Sequence, residues 1–157
     1  MKKKNIIDYL KEQENNKTEF TNTSYNHEIK EFEHMDVALT LVEYGIHIYI
    51  DDELEKFINL DDDCEYIIQD FLFDEYGIEV RFCDYCGCPM QAGYTDDGAD
   101  FYNCEECFPK DMDERYGKGN WRVYEERNGD CNNMGGYYEY LENGKWREEP
   151  SYYTEWC

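Results

Sequence analysis

The sequence predicts an α+β fold: an acidic N-terminal body of helices and strands, an inserted zinc module with four cysteine ligands, and a C-terminal antiparallel β-meander. Three observations support this class. Apolar residues recur at both helical and alternating spacings, five of the eight cysteines lie within Phe82–Phe108, and the aromatic C-terminal third contains two Asn-Gly turn sequences. The corresponding segments are 1–80, 81–110 and 111–157, which we expect to pack as one unit.

The first fifty residues predict two helices and two extended segments. The stretch "KNIIDYLKEQEN" spaces its apolar residues as a short amphipathic helix does. The Thr-rich "TEFTNTSYNHEIKEFEH" is expected to be extended. In "MDVALTLVEYG", Met35, Leu39 and Val42 would share one helical face and Gly45 would end the helix. The alternating "IHIYI" that follows predicts a strand.

Acidic starts predict the next two helices, over 51–58 and 61–76. Both "DDELEKFINL" and "DDDCEYIIQDFLFDEYG" begin with carboxylates, which favour a helix N-terminus, and continue with apolar residues at spacings of three and four. The stretch "IEVRF" predicts a strand that leads into the cysteines. After them, "PKDMDERYG" would continue a helix that begins at the second cysteine pair. The last third is β-like, with a hairpin turn predicted at Asn143-Gly144.

The cysteine spacing predicts a metal site. Cys83-x₂-Cys86 and Cys104-x₂-Cys107 are separated by seventeen residues, a spacing that lets two tight turns each supply two vertices of a tetrahedral Zn²⁺. Gly87 would give the first turn its backbone freedom. Four thiolates leave no open coordination position, so the expected role of Zn²⁺ is structural. An iron–sulfur cluster or a redox dithiol is the alternative.

The remaining cysteines are expected to stay outside this site. Cys88 is either a spectator thiol beside it or a ligand in place of Cys86. Cys64 lies on a predicted helix and is expected to be a buried thiol. Cys131 and Cys157 are too isolated in the sequence to define a second site.

The arrangement "CDYCGCPM…GY…FYNCEECF" resembles the zinc-ribbon and treble-clef modules of many small bacterial and phage proteins. The resemblance covers about thirty residues. It implies that Cys83, Cys86, Cys104 and Cys107 are the ligands and that the second pair lies at the start of a helix. Many such modules bind nucleic acid, but Arg81 and Lys110 are the only bases in 81–110, so direct nucleic-acid binding is not expected.

Negative charge is concentrated in one part of the chain. Thirty-eight acidic and fifteen basic side chains give a net charge of −23, of which −15 falls within residues 31–80. We expect these carboxylates to bind a partner, and the candidate residues are Asp51, Asp52, Glu53, Asp61, Asp62, Asp63, Asp70, Asp74 and Glu75. With no apolar run of eighteen residues and no signal-peptide pattern, we expect a cytoplasmic protein of a bacterial host cell that does not enter membranes.

The expected function is therefore binding rather than catalysis, since no phosphate-binding, nucleophile-elbow or zinc-protease motif is present. Dense carboxylates can imitate nucleic acid towards a basic nucleic-acid-binding protein. In composition the chain resembles the anti-CRISPR and anti-restriction inhibitors of phages and mobile elements. The alternatives are an acidic surface that serves only solubility, a zinc-stabilised adaptor that binds proteins through its aromatic C-terminal region, and an enzyme whose site is assembled from unmarked acids.

Overall fold

The computed structural model describes residues 2–26, 31–96, 99–125 and 137–156. The chain forms two compact units: the N-terminal unit, Asn5–Val80, and the C-terminal unit, Arg81–Cys157 with Met1–Lys4. Both units combine helices with antiparallel strands, which confirms the predicted α+β class. None of the helices in the described residues has the length and apolar character needed to cross a bilayer.

The N-terminal unit is a four-stranded antiparallel sheet with a helix before it and a helix after it. Its strands pair in sequence order, each with the next. The elements are α1 (Ile6–Glu12), β1 (Lys17–Asn26), β2 (Glu31–Val42), β3 (Gly45–Ile50), β4 (Glu53–Asn59) and α2 (Cys64–Tyr76). The predictions of α1, α2, the strand β3 and an extended segment after α1 are confirmed, while residues 27–30 lie outside the described part of the chain.

Local side-chain hydrogen bonds fix both helices. At α1, the Asn5 side chain accepts from the Asp8 backbone N–H, and the Asp8 side chain accepts from the Asn5 N–H. At α2, the Asp63 side chain accepts from the Tyr66 N–H, and Gly77 ends the helix in the left-handed conformation. An N-cap of this kind stabilises a helix by about 1 kcal/mol. The backbone N–H of Ile6 also donates to Glu65 at 3.1 Å, which links the two helices.

The core of the N-terminal unit is aliphatic. One face of the sheet is buried together with the apolar faces of both helices, and each fully buried aliphatic side chain contributes about 1.5–3 kcal/mol. The buried residues include Ile6, Leu10, Val37, Leu39, Ile46, Ile48, Ile58, Ile68, Leu72, Ile78 and Val80. Cys64 is buried among them, and its thiol donates to the Asn59 carbonyl at 3.3 Å.

The helices predicted over 35–45 and 51–58 are wrong, because both segments are strands. In β2, Val37 and Leu39 alternate with outward residues and pair with Ile50 and Ile48 of β3, so the period of two decides the structure. Gly45 begins β3 and does not end a helix.

The acidic start of the second of these segments belongs to a turn. Asp51 and Asp52 connect β3 to β4 with φ of 48° and 68°. This left-handed conformation is one that Asp tolerates better than most residues. The carboxylates therefore mark a reversal of the chain and not the N-terminus of a helix.

The C-terminal unit consists of short strands, one helix and a central sheet. Its elements are β5 (Arg81–Phe82), β6 (Pro89–Met90), β7 (Ala92–Thr95), β8 (Tyr102–Asn103), α3 (Cys107–Tyr116), β9 (Trp121–Glu125), β10 (Tyr137–Glu142) and β11 (Lys145–Glu155). The sheet order is β8-β7-β11-β10-β9. The predicted meander is confirmed, and two strands from the cysteine-containing segment extend it, so 81–110 and 111–157 share one sheet.

Two local predictions in this unit have clear outcomes. Asn143 and Gly144 have φ of 53° and 77° between the paired Glu142 and Lys145, which confirms the Asn-Gly hairpin. The strand predicted at "IEVRF" is limited to β5, and its first three residues end the N-terminal unit, where Ile78 and Val80 are buried. The second Asn-Gly, within 126–136, lies outside the described residues.

The core of the C-terminal unit is built from aromatic rings, methionines and cysteines. Tyr94 stacks on Phe108 with ring centroids 4.1 Å apart, and Tyr138 contacts Phe108 edge-on at 4.5 Å. Leu141, the one aliphatic Leu, Ile or Val side chain of this unit whose burial is described, is only partly buried. The high aromatic content of the chain is therefore explained in large part by this core.

Replacing Gly45 with alanine tests the close packing of β3 against β4. A Cβ at Gly45 would lie 2.1 Å from the Ile58 carbonyl oxygen, so Gly45→Ala should lower the free energy of unfolding by about 3 kcal/mol in urea titrations. Gly77→Ala is the control: its Cβ would meet nothing within 4 Å, and only its left-handed backbone should cost about 1 kcal/mol. Equal losses would contradict this packing.

Candidate functional site

The first three cysteines lie in a tight loop that joins β5 to β6. The Cys83 N–H donates to the Cys88 carbonyl at 2.9 Å, and the Gly87 N–H donates to the Cys83 carbonyl at 2.8 Å. Gly87 has φ of 84°, a conformation for which glycine carries no Cβ penalty. The loop therefore closes on itself and brings the side chains of Cys83, Cys86 and Cys88 to one side.

Asp84 brings the second cysteine segment against this loop. Its backbone N–H donates to the Tyr102 carbonyl at 2.7 Å, and its carboxylate accepts from the Tyr102 N–H at 2.9 Å. Its carbonyl accepts from the Lys3 N–H at 2.6 Å. Since Cys104 lies two residues after Tyr102, these bonds place it beside Cys83, and the Cys104 N–H donates to the Cys83 sulfur at 3.4 Å.

Four sulfur atoms meet at this point. The Sγ atoms of Cys83, Cys86, Cys88 and Cys104 all lie within 4.8 Å of one another, and those of Cys86 and Cys104 are 3.9 Å apart. A tetrahedral Zn²⁺ with Zn–S bonds of about 2.3 Å requires sulfurs about 3.8 Å apart. The four cysteines are therefore close enough to hold a metal ion, and thiolate ligands suit Zn²⁺.

The four thiols of this cluster differ in their pKa values because they are hydrogen-bonded to one another. Hydrogen bonds from neighbouring thiols, chiefly Cys104, hold the pKa of Cys83 far below that of an ordinary thiol. The bond between Cys104 and Cys83 raises the pKa of Cys104, but bonds from Cys86 and Cys88 outweigh it and lower that pKa to about 6. The pKa values of Cys86 and Cys88 are raised, mainly by bonding to Cys104. A bound cation would replace these shared protons.

Three of the four predicted ligands belong to this group, and Cys88 occupies the fourth place. Cys107 lies next to it as the first residue of α3, which confirms the helix predicted at the second cysteine pair. Burial first, and then the charge of Cys83, raise the pKa of Cys107 to about 12. Cys131 and Cys157 lie outside the described residues.

An apolar shell surrounds the thiols. Met90 and Trp156 are buried against Cys83 and Cys107, and the Trp156 indole N–H donates to the Met90 carbonyl at 2.9 Å. Tyr102 contacts the Trp156 ring edge-on, with centroids 5.1 Å apart. Sequence reasoning missed Met90 and Trp156, because neither lies in the cysteine spacing pattern.

The nine carboxylates predicted to bind a partner are all exposed. They do not lie on two neighbouring helices, since 53–59 is the strand β4. Asp51–Glu53 lies at one end of β4 and Asp61–Asp63 at the other, separated by roughly 23 Å for seven strand residues. The helix α2 runs from the second group back towards the first and carries Asp70, Asp74 and Glu75.

The electrostatics of Tyr76 show that the far end of α2 returns to the first acidic group. Burial, followed by the charges of Glu55, Glu75, Asp51 and Glu53, raises the pKa of Tyr76. The nine carboxylates thus follow α2 from one end to the other. We call this set the acidic ridge.

Several aromatic residues that the sequence offered as interface candidates are in the core instead. Tyr138 and Trp156 are buried. Trp146 is 37 % exposed, and the Arg122 guanidinium lies 3.9 Å from its ring centroid. The aromatic region therefore presents less ring surface than its sequence suggests.

Comparison with known proteins gives no relative: no family model, no curated protein and no solved structure matches the chain. Two features of its own side chains remain for a functional interpretation, the thiol cluster and the acidic ridge.

Separate serine substitutions identify the fourth metal ligand. Because Cys88 and not Cys107 lies among the four clustered sulfurs, Cys88→Ser should abolish stoichiometric zinc binding, whereas Cys107→Ser should retain one zinc per chain by elemental analysis. With Co²⁺ as the probe, Cys107→Ser should keep the absorption spectrum of a tetrathiolate site. Zinc loss in Cys107→Ser and retention in Cys88→Ser would instead support the paired Cys-x₂-Cys ligand set.

Proposed function

We propose that the chain is a non-enzymatic, zinc-stabilised inhibitor that uses its acidic ridge to bind the basic surface of a nucleic-acid-binding protein. The observation that carries this proposal is the exposure of all nine ridge carboxylates on a unit of extreme charge. Residues 5–80 contain twenty-one acidic and four basic side chains, a net charge of −17. A host-defence nuclease of the CRISPR or restriction type would offer such a basic surface.

Within the described part of the chain, the only base with a resolved electrostatic effect on a ridge carboxylate is Lys17, which acts on Asp52. Ion pairs of the described residues involve acids outside the ridge, among them Asp84, Glu114, Glu19, Asp111, Glu139 and Glu142. Lys56, the only base within 31–80, has its ammonium 5.4 Å from the ring centroid of Phe71. The ridge carboxylates repel one another, which lowers the stability of the unit, and a cationic partner would relieve this repulsion.

The charge spacing of the ridge is comparable to that of a nucleic acid. The thirteen residues of α2 span about 20 Å. Nine carboxylates over that length give one charge per about 2 Å, against one per about 1.7 Å of axis in duplex DNA. This similarity supports mimicry of nucleic acid over a purely solubilising role.

Zinc has a structural part in this proposal. The strands next to the thiol cluster, β5, β6 and β8, are two residues each, and such short strands add little stability by themselves. A closed shell of thiolates would stabilise the C-terminal unit directly, as structural zinc does in small domains.

Chelation tests this structural role. Removal of zinc should lower the melting temperature of the C-terminal unit by more than 10 °C, because structural zinc contributes folding free energy. Near-ultraviolet circular dichroism of Trp156, which packs on the thiols, reports the loss. A melting curve unchanged by chelation would show that the thiols hold the unit without metal.

Capture from a bacterial lysate tests the inhibitor proposal. At low salt the immobilised chain should retain nucleic-acid-binding proteins, and duplex DNA should displace them, because both would compete for one basic surface. A ridge variant with Asp61, Asp62 and Asp70 changed to Asn should capture at least tenfold less of these nucleic-acid-binding proteins than the parent chain does.

The control removes the same charge from the C-terminal unit, with Asp100→Asn, Asp113→Asn and Glu142→Gln. It should bind as the parent does. Retention that resists high salt and DNA, or equal losses in both variants, would overturn the proposal.

The aromatic adaptor remains the second candidate, supported by the half-exposed Trp146. Truncation after Glu149 cannot test it, since Tyr152–Glu155 pairs with β7 and Trp156 packs on the thiols. Trp146→Ser leaves that packing intact, and loss of partner capture in this variant alone would favour the adaptor.

A further inference from the structure

The four-stranded sheet has a second face, opposite the buried one, which we call the outer face. The strand register places two rows of side chains across it. The first row runs Lys17, Thr40, His47, Phe57, and the second runs Glu19, Ala38, Tyr49, Leu54. Phe57 is 45 % and Leu54 is 53 % exposed, in a row where an antiparallel sheet facing water normally carries polar side chains.

The rings on this face form a contiguous group. His47 contacts Phe57 edge-on with centroids 5.4 Å apart and Tyr49 at 6.0 Å, and its Nδ1 lies 3.3 Å from the Tyr49 hydroxyl. With Leu54 beside Tyr49, the β3–β4 half of the face is largely apolar. Exposed apolar patches with a polar border mark interaction sites in soluble proteins.

The β1–β2 half of the same face holds a cleft with an acidic border. Its volume is about 310 Å³, and it is lined by Glu19, Phe20, Thr21, Asp36, Val37, Ala38 and Asp52. The Thr21 hydroxyl donates to Asp36 at 2.8 Å, and the Asp36 N–H donates to Asp51 at 3.0 Å, so the carboxylates are held in place. Lys17 pairs with Glu19 at 2.6 Å and also interacts electrostatically with Asp52. Three carboxylates, those of Glu19, Asp36 and Asp52, therefore border the cleft, and their negative charge exceeds that of this one base.

We propose that the outer face docks an arginine-containing amphipathic segment of a partner protein. The apolar side of that segment would cover Tyr49, Leu54 and Phe57. An arginine would enter the cleft, where Asp36 and Asp52 complement its charge. A guanidinium forms paired hydrogen bonds with carboxylates that an ammonium cannot reproduce.

Charge and shape both favour this occupant over another copy of the chain or a nucleic acid. A second copy would bring the same carboxylates against Asp36 and Asp52, and a phosphate backbone would be repelled in the same way. An uncharged apolar segment would cover the rings but leave the acidic cleft unmatched.

This surface shares Asp52 with the acidic ridge but none of the other eight ridge carboxylates. The ridge follows α2, which packs on the buried side of the sheet, where Lys56 lies over Phe71. The two surfaces of the N-terminal unit therefore face different ways. Docking at the outer face does not depend on nucleic-acid mimicry at the ridge.

The test measures binding of the full chain to a fluorescein-labelled peptide with two arginines on either side of a Leu-Trp-Leu centre. Leu54→Ser with Phe57→Ser should weaken binding about tenfold, because the buried apolar contact is lost. Asp36→Asn with Asp52→Asn should also weaken it about tenfold, and Asn tolerates the left-handed backbone of residue 52. Lysine in place of the peptide arginines should bind several-fold more weakly than arginine.

Matched controls on α2 remove comparable exposed apolar side chains and equal charge. Tyr66 is 64 % and Phe73 is 51 % exposed, so Tyr66→Ser with Phe73→Ser should change binding less than twofold, as should Asp70→Asn with Asp74→Asn. Equal weakening by the outer-face and α2 variants, or peptide-induced amide shifts centred on α2, would overturn the proposal. The ridge variants and DNA competition test the inhibitor proposal separately, so either can fail alone.

Discussion

Contact among cysteine sulfurs is the constraint on which the C-terminal unit depends. A loop that closes through the Cys83 and Cys88 backbones and a strand held by Asp84 bring four sulfurs within 4.8 Å. Thiols packed so closely are stabilised when a cation replaces their protons. The strand β8, the start of α3 and the buried Trp156 are all arranged around this point, so the unit forms part of its core against the four thiols.

The cores of the two units are built from different kinds of side chain. The N-terminal unit buries isoleucine, leucine and valine beneath one face of a regular sheet, whereas the described core of the C-terminal unit uses rings and sulfur. The charge is divided just as unequally, with most of the negative excess on the aliphatic unit. The aliphatic core of the N-terminal unit offsets the repulsion among its carboxylates.

Sequence reasoning succeeded where one local interaction decides the structure. The existence of α2, the Asn143-Gly144 turn and the gathering of cysteines follow from short-range chemistry. It failed at 35–45 and 51–58, where cross-strand pairing overrode a helical spacing of apolar residues. The place of Cys88 and the role of Trp156 could not be predicted, because loop closure and the path of β11 bring together residues that no spacing rule connects.

The position of β11 has a consequence for biosynthesis. This strand follows every other strand of its sheet in the chain, yet it lies in the middle, between β7 and β10. While the ribosome works from the N-terminus, the β7–β8 and β9–β10 pairs have no common neighbour until Lys145–Glu155 emerges. The N-terminal unit can mature co-translationally. In the C-terminal unit, Trp156 follows β11 in the chain and so cannot cover the thiols before that strand has been made.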